Sequence, residues 1–123
     1  MIPEKMVEVL KHEGVVAIVT QGDEDPHVAN TWNSYLRITE EGKLLVPAGR
    51  MNVTENNLKK RENLLVTLGS REVDGFHSKG TGFLIEGSGE FLYEGEDYNT
   101  MKTNYPWLRA TLEITPIKIT QTL

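Results

Sequence analysis

Short β-branched runs, separated by turns too brief to hold a crossover helix, constrain this chain most. Val15-Val16-Ala17-Ile18-Val19 is a continuous apolar run bounded by Gly14 and Gly22, and Leu64-Leu65-Val66-Thr67-Leu68 is a second. Both fit strands buried in a sheet. Phe83, Ile85, Phe91 and Tyr93 recur at even spacing, the alternation of a strand with one covered face, so Thr81 to Tyr93 reads as a strand. Gly22-Asp23-Glu24-Asp25-Pro26 and Glu40-Glu41-Gly42 supply turns. Strands joined in this way run antiparallel, and a small antiparallel sheet removes its exposed edges by closing into a barrel.

His27 to Thr31, Tyr35 to Thr39, Lys43 to Pro47 and Arg109 to Ile119 read as further strands, with a bulge expected between Thr31 and Ser34. Ser70 to Gly80 is charged, contains two glycines and reads as a loop. Pro3 to His12, Asn52 to Lys60 and Asp97 to Tyr105 read as short helices. Either Asn52 or Thr54 can cap the second, and Glu55 lies in its first turn, where the helix dipole favours an acid. With 123 residues, no repeat and no low-complexity linker, one domain over residues 1–123 is expected.

Several function classes drop out. No run of about 18 apolar residues offers a membrane span. The first residues lack the basic start and apolar core of a signal peptide, so a cytoplasmic location is expected. Without cysteine there is no thiolate nucleophile, disulfide or iron–sulfur ligand. A net charge of −5 argues against nucleic acid as the partner. The acidic stretches Asp23 to Asp25, Glu40-Glu41 and Glu94 to Asp97 read as solvated turns, the alternative being a docking surface for a basic redox protein.

Catalytic signatures are equally sparse. His12, His27 and His77 share no metal-ligand spacing, no serine stands in a GxSxG turn, and no residue is a catalytic candidate. Gly80-Thr81-Gly82 and Gly87-Ser88-Gly89 fall inside a strand pattern and read as bulges or close backbone approaches, not dinucleotide loops. One constellation remains. Asn30-Thr31-Trp32-Asn33-Ser34-Tyr35 brings polar groups and aromatics to a strand region, and Pro47-Ala48-Gly49-Arg50-Met51-Asn52-Val53-Thr54 runs through a glycine-containing turn into a helix start. Free N–H groups at such a start receive an anion, and Trp32, Tyr35 and Trp107 could flank a flat ring. A phosphorylated planar cofactor is the expectation.

These residues carry a resemblance. Glu13-Gly14-Val15-Val16-Ala17-Ile18, the run from Asn30 to Leu36, Thr67-Leu68-Gly69-Ser70-Arg71, the run from Gly80 to Ile85 and the terminus Gln121-Thr122-Leu123 closely resemble the small FMN-binding proteins of sulfate-reducing bacteria, nearly end to end. These belong to the FMN-binding split-barrel superfamily, with pyridoxamine-phosphate oxidases and small flavin reductases. The resemblance implies a mainly β fold, a six-stranded antiparallel Greek-key split barrel with two or three short helices, a homodimer, and one non-covalent FMN per subunit near the dimer interface.

Carried over, Asn30, Thr31 and Trp32 would line the flavin, with Tyr35 and Trp107 as aromatic neighbours. Pro47, Ala48, Gly49, Arg50 and Met51 would offer backbone to the ring edge. Asn52, Val53 and Thr54 would meet the phosphate, and Leu123 would reach the flavin of the partner subunit. Two positions depart from the pattern: Val53 replaces a lysine and Arg50 a glycine, so Arg50 either restores the missing charge or faces solvent. Electron transfer between redox partners is the expected function. A flavin reductase or pyridoxamine-phosphate-oxidase-like enzyme, with Arg71, Lys79 or Arg109 supplying a substrate phosphate site, and a non-redox flavin carrier or sensor are the alternatives.

Overall fold

A computed structural model describes all 123 residues. The elements in chain order are α1 (Glu4–Val9), β1 (Val15–Thr20), β2 (His27–Trp32), a 3-10 turn (Asn33–Tyr35), β3 (Arg37–Ile38), β4 (Leu44–Ala48), α2 (Asn52–Lys60), β5 (Asn63–Asp74), β6 (Lys79–Leu92), α3 (Glu96–Asn104) and β7 (Ala110–Gln121). All strands join one antiparallel sheet in the order β2-β1-β5-β6-β7-β4-β3. The sheet curls into a split barrel whose seventh strand, β3, is only two residues long.

Alternation decides what the barrel encloses. Val16 and Ile18 of β1, Leu64, Val66 and Leu68 of β5, Phe83 and Ile85 of β6, and Leu112 and Ile114 of β7 meet in one core, closed by Met6 and Val9 of α1 and Leu58 of α2. β4 is buried on both sides. Leu44, Val46 and Ala48 face that core, while Leu45 packs with Met101, Tyr105 and Leu108 beneath α3. Glycine lets β6 bend where its register with β7 shifts between Glu86 and Gly87: a Cβ on Gly87 would stand 2.3 Å from the Thr115 carbonyl oxygen.

Four local expectations need correction. The segment 70–80 is mostly strand: β5 runs on to Asp74 and β6 starts at Lys79, leaving Gly75 to Ser78 as the turn. In place of a bulge over residues 31–34, β2 runs to Trp32 and the 3-10 turn Asn33–Tyr35 follows, so the strand expected from Tyr35 shrinks to Arg37–Ile38. Asn33 dictates this turn. It is fully buried, its N–H donates to the Gly14 carbonyl, and its side-chain amide donates to the His12 and Gly69 carbonyls at 3.0 Å each. The first helix stops at Val9 because Lys11 and His12 tighten into bonds three residues back. Finally, neither Asn52 nor Thr54 caps α2: the cap position is Met51, in the left-handed region with φ 64° and ψ 37°, and no side chain caps the helix.

Candidate functional site

The curled sheet brings β2, one of its edge strands, near the far end of β4. Between them lies a cavity of about 370 Å³, within the ~300–1,000 Å³ usual for ligand sites. One wall comes from Asn30, Thr31 and Trp32 of β2 with Tyr35 of the 3-10 turn, the other from Pro47, Gly49, Arg50 and Met51. Trp107, from the turn after α3, completes it. Tyr35 and Trp107 have ring centroids 5.7 Å apart, and Trp107 lies against the Gly49 backbone, where a Cβ would stand 3.3 Å from its ring. Trp32 and Trp107 are each about half exposed, so the cavity has an aromatic rim open to one side.

The floor of the cavity leads into α2. The first intrahelical bond runs from the Glu55 N–H to the Met51 carbonyl, and no protein group accepts the N–H groups of Asn52, Val53 and Thr54. Three free donors and the positive end of the helix dipole make this a seat for an anion. The hydroxyl of Thr54 is fully buried and has no hydrogen-bond partner. Buried hydroxyls are nearly always paired, so this one has capacity to spare. Arg50, exposed, lines the same cavity.

Arg109 braces the turn that leads into the helix. Its backbone N–H donates to the Ala48 carbonyl, and its Nε and Nη2 donate to the Arg50 carbonyl at 3.1 and 2.8 Å. The same guanidinium takes the Glu55 carboxylate in a two-pronged pair, at 3.1 and 3.4 Å. Arg109 is thereby committed to the protein and is no free substrate cation.

The site residues expected from sequence therefore divide. Asn30, Thr31, Trp32, Tyr35, Pro47, Gly49, Arg50, Met51 and Trp107 meet in one cavity. Ala48 is fully buried and turned to the core, Asn52 and Thr54 lie at the helix start outside the cavity lining, and exposed Val53 faces a neighbouring groove beside the acidic turn at Asp23 to Asp25. Leu123 sits elsewhere, in a polar cavity with Glu13, Arg71, Lys79 and Thr81, its carbonyl held by the Thr81 hydroxyl and the Gln121 amide at 2.8 Å each. Within one chain it does not reach the aromatic cavity. Glu13 in that second cavity accepts the Ser34 hydroxyl at 2.7 Å and the Ser34 and Gly14 N–H groups, which hold its carboxyl below the ordinary value.

Sequence reasoning missed His27 and Ala29 on the wall, Tyr105 behind it, and the Arg109–Glu55 brace. Tyr105 packs 5.2 Å from Tyr35 and 5.8 Å from Trp107, and its hydroxyl donates to the Ser34 carbonyl. The Tyr105-Pro106-Trp107 sequence, two aromatics around a proline, was the available signal.

A family model described as pyridoxamine 5'-phosphate oxidase matches residues 2–122. The chain is 48% identical over 123 residues, covering 100% of both chains, to a protein of Nitratidesulfovibrio vulgaris named FMN-binding protein. Among solved structures it resembles HupZ from Group A Streptococcus, with a TM-score of 0.80, 16% identity and coverage of 98% and 94% of the two chains. It also resembles an FMN-binding protein from Syntrophomonas wolfei, with a TM-score of 0.75, 18% identity and coverage of 98% and 85%. At those identities the structural likenesses speak for the fold alone.

Proposed function

Because this chain belongs to the pyridoxamine 5'-phosphate oxidase family, we propose that it binds FMN without a covalent link and uses it to carry electrons between redox partners. The observation that carries the reading is the cavity itself: an aromatic-rimmed cleft that runs into an uncapped helix start. The residues fit the group. A Cβ on Gly49 would press against the Trp107 ring at 3.3 Å, as expected of a close-packed ring site, and the unpaired Thr54 hydroxyl belongs to the helix start where a phosphate would be received. The full-length relative named FMN-binding protein supports the same cofactor.

Trp32, Tyr35 and Trp107 would flank the ring, and the backbone of Pro47 to Met51 would hydrogen-bond its edge. The N–H groups of Asn52 to Thr54, the Thr54 hydroxyl and the Arg50 guanidinium would share the phosphate charge. When bound, FMN supplies one- and two-electron redox chemistry; the protein supplies orientation and local charge. No carboxylate lines the cavity, and His27 is its one titratable group besides Tyr35 and Arg50. Arg71 and Lys79 stand in the second cavity with Leu123, and Arg109 is occupied, so none of the cations considered for a substrate phosphate lines the aromatic cavity.

A homodimer belongs to this reading. Trp32 pairs with Val15, Val28 with Val19, and Val19 in turn with Leu65, across three strands on one outer face, with Trp32, Val15, Val28 and Leu65 all exposed in the single chain. A second copy covering that face would shield the Trp32 side of the cavity.

The absorbance spectrum of the purified protein, with mass identification of any released ligand, tests the cofactor. A yellow protein releasing FMN is expected, and a colourless protein that fails to take up added FMN would refute it. Oxidation of NADH or NADPH is then followed with and without an electron-accepting protein; turnover on free FMN alone would move the assignment to a reductase. Sedimentation equilibrium checks the dimer, and a monomer at all concentrations would remove it.

A further inference from the structure

The Arg109–Glu55 pair stands behind the helix start and has no evident need to be there. Glu55 is in the first turn of α2, its side chain only 12% exposed. A carboxylate at that position has two effects adverse to an anion. It contributes negative charge beside the anion seat, and it can itself turn back to accept free N–H groups of the helix start. Arg109 blocks both. Its fork occupies both carboxylate oxygens, and the same guanidinium draws the Arg50 carbonyl out of the way with two hydrogen bonds. The peptide that follows Arg50 is the one that enters Met51, the only non-glycine residue with positive φ. Left-handed backbone at such a residue persists only where its surroundings hold it.

From this geometry we propose that Arg109 and Glu55 form a positioning pair that fits the site for a phosphorylated flavin and sets its preference for FMN over riboflavin, without touching the ligand. The proposal rests on the FMN reading. The pair fixes the Arg50–Met51 turn, and with it the direction of the three free N–H groups, while neutralising the one carboxylate of that turn. The aromatic walls, which would hold the ring of either flavin, are built from Trp32, Tyr35 and Trp107, so the pair acts chiefly at the phosphate end and less on the ring edge met by the Pro47 to Met51 backbone.

Dissociation constants for FMN and for riboflavin, read by flavin fluorescence quenching on the cofactor-free protein, test the pair together with thermal melting. Arg109→Gln exposes the Glu55 charge to the phosphate, and FMN affinity is expected to fall about tenfold or more while riboflavin affinity stays within about threefold. Arg109→Gln/Glu55→Gln removes the unpaired carboxylate as well and is expected to recover the electrostatic part of the FMN loss, while the part owed to the lost bonds to the Arg50 carbonyl remains. Equal losses for the two flavins in Arg109→Gln, or no recovery in the double variant, would overturn the proposal in favour of a purely structural brace. Should Arg109→Gln fail to fold, Glu55→Gln decides alone: tighter FMN binding with riboflavin binding unchanged supports the pair, and FMN binding that is unchanged or weaker refutes it. A wild-type protein that binds neither flavin would instead sink the underlying cofactor reading.

Discussion

Replacing Thr54 with valine separates what that hydroxyl does for the protein from what it does for a ligand, because the two effects have opposite sign. The side chain is fully buried and its oxygen has no partner. An unsatisfied buried hydroxyl costs about 1–3 kcal/mol. Valine keeps the branched shape and nearly the same helix propensity, so the substitution removes the cost without opening a cavity. Taking the low end, the cofactor-free protein is expected to gain about 1 kcal/mol. Unfolding entropy near 2.1 cal/mol/K per residue gives about 0.26 kcal/mol/K for a chain of this length, so Tm should rise by roughly 4 °C. For FMN the same change deletes a hydrogen bond to a charged group, a loss of about 1.5–3 kcal/mol, or about one to two decades in Kd. Riboflavin, which lacks the phosphate, should bind as before. Calorimetric melting of the cofactor-free protein and fluorescence titration with both flavins measure all three. A lower Tm with unchanged FMN affinity would refute the reasoning, since it would mean that the hydroxyl is paired within the protein.

Arg50→Ala should weaken FMN binding by about tenfold and flatten its salt dependence, because a guanidinium on a phosphate acts partly through charge; an unchanged Kd would assign Arg50 to solvent. Ser34→Ala removes the hydroxyl that chiefly holds the Glu13 carboxyl low, so its titration, followed by NMR, should move up toward the ordinary glutamate value. A carboxylate with a lowered folded pKa stabilises the protein above its unfolded pKa, and that contribution is lost as pH falls through the folded value. Ser34→Ala should therefore shrink the acid-side dependence coming from Glu13, and an unmoved titration would contradict the bond. Gly87→Ala forces a Cβ to 2.3 Å from the Thr115 carbonyl oxygen, against backbone that has no flexible side chain to yield, and should cost about 1–3 kcal/mol, seen as a lower urea midpoint at constant m-value.

Periodicity carried the buried strands and both bounds of α2, because in those segments side-chain burial and backbone pairing agree. It failed at residues 70–74. There Arg71, Glu72 and Asp74 are exposed with only Val73 buried between them, and the pairing with β6 is irregular between Ser70 and Asp74, so the side chains of this stretch resemble those of a loop. It also mistook the cap of α2, since a methionine in left-handed backbone has no signature in sequence. The aromatic wall was legible because Asn30 to Tyr35 and Pro47 to Met51 are each contiguous. Tyr105 against Ser34 and Arg109 against Glu55 were not, being separated by 71 and 54 positions. Contacts of that span are created by the sheet order, and local patterning carries no trace of them.

That sheet order also bears on when the protein can take up a cofactor. β4, which carries one wall of the cavity, pairs with β7 along five residue pairs, and its only other neighbour in the sheet is the two-residue β3. Trp107 and Arg109 immediately precede β7. During synthesis the cavity thus cannot assemble until residues beyond 110 have left the ribosome, and such non-local pairings form late. Flavin loading is then a post-translational event that selects completed chains: mass action by the ligand stabilises the finished barrel and offers nothing to a nascent one.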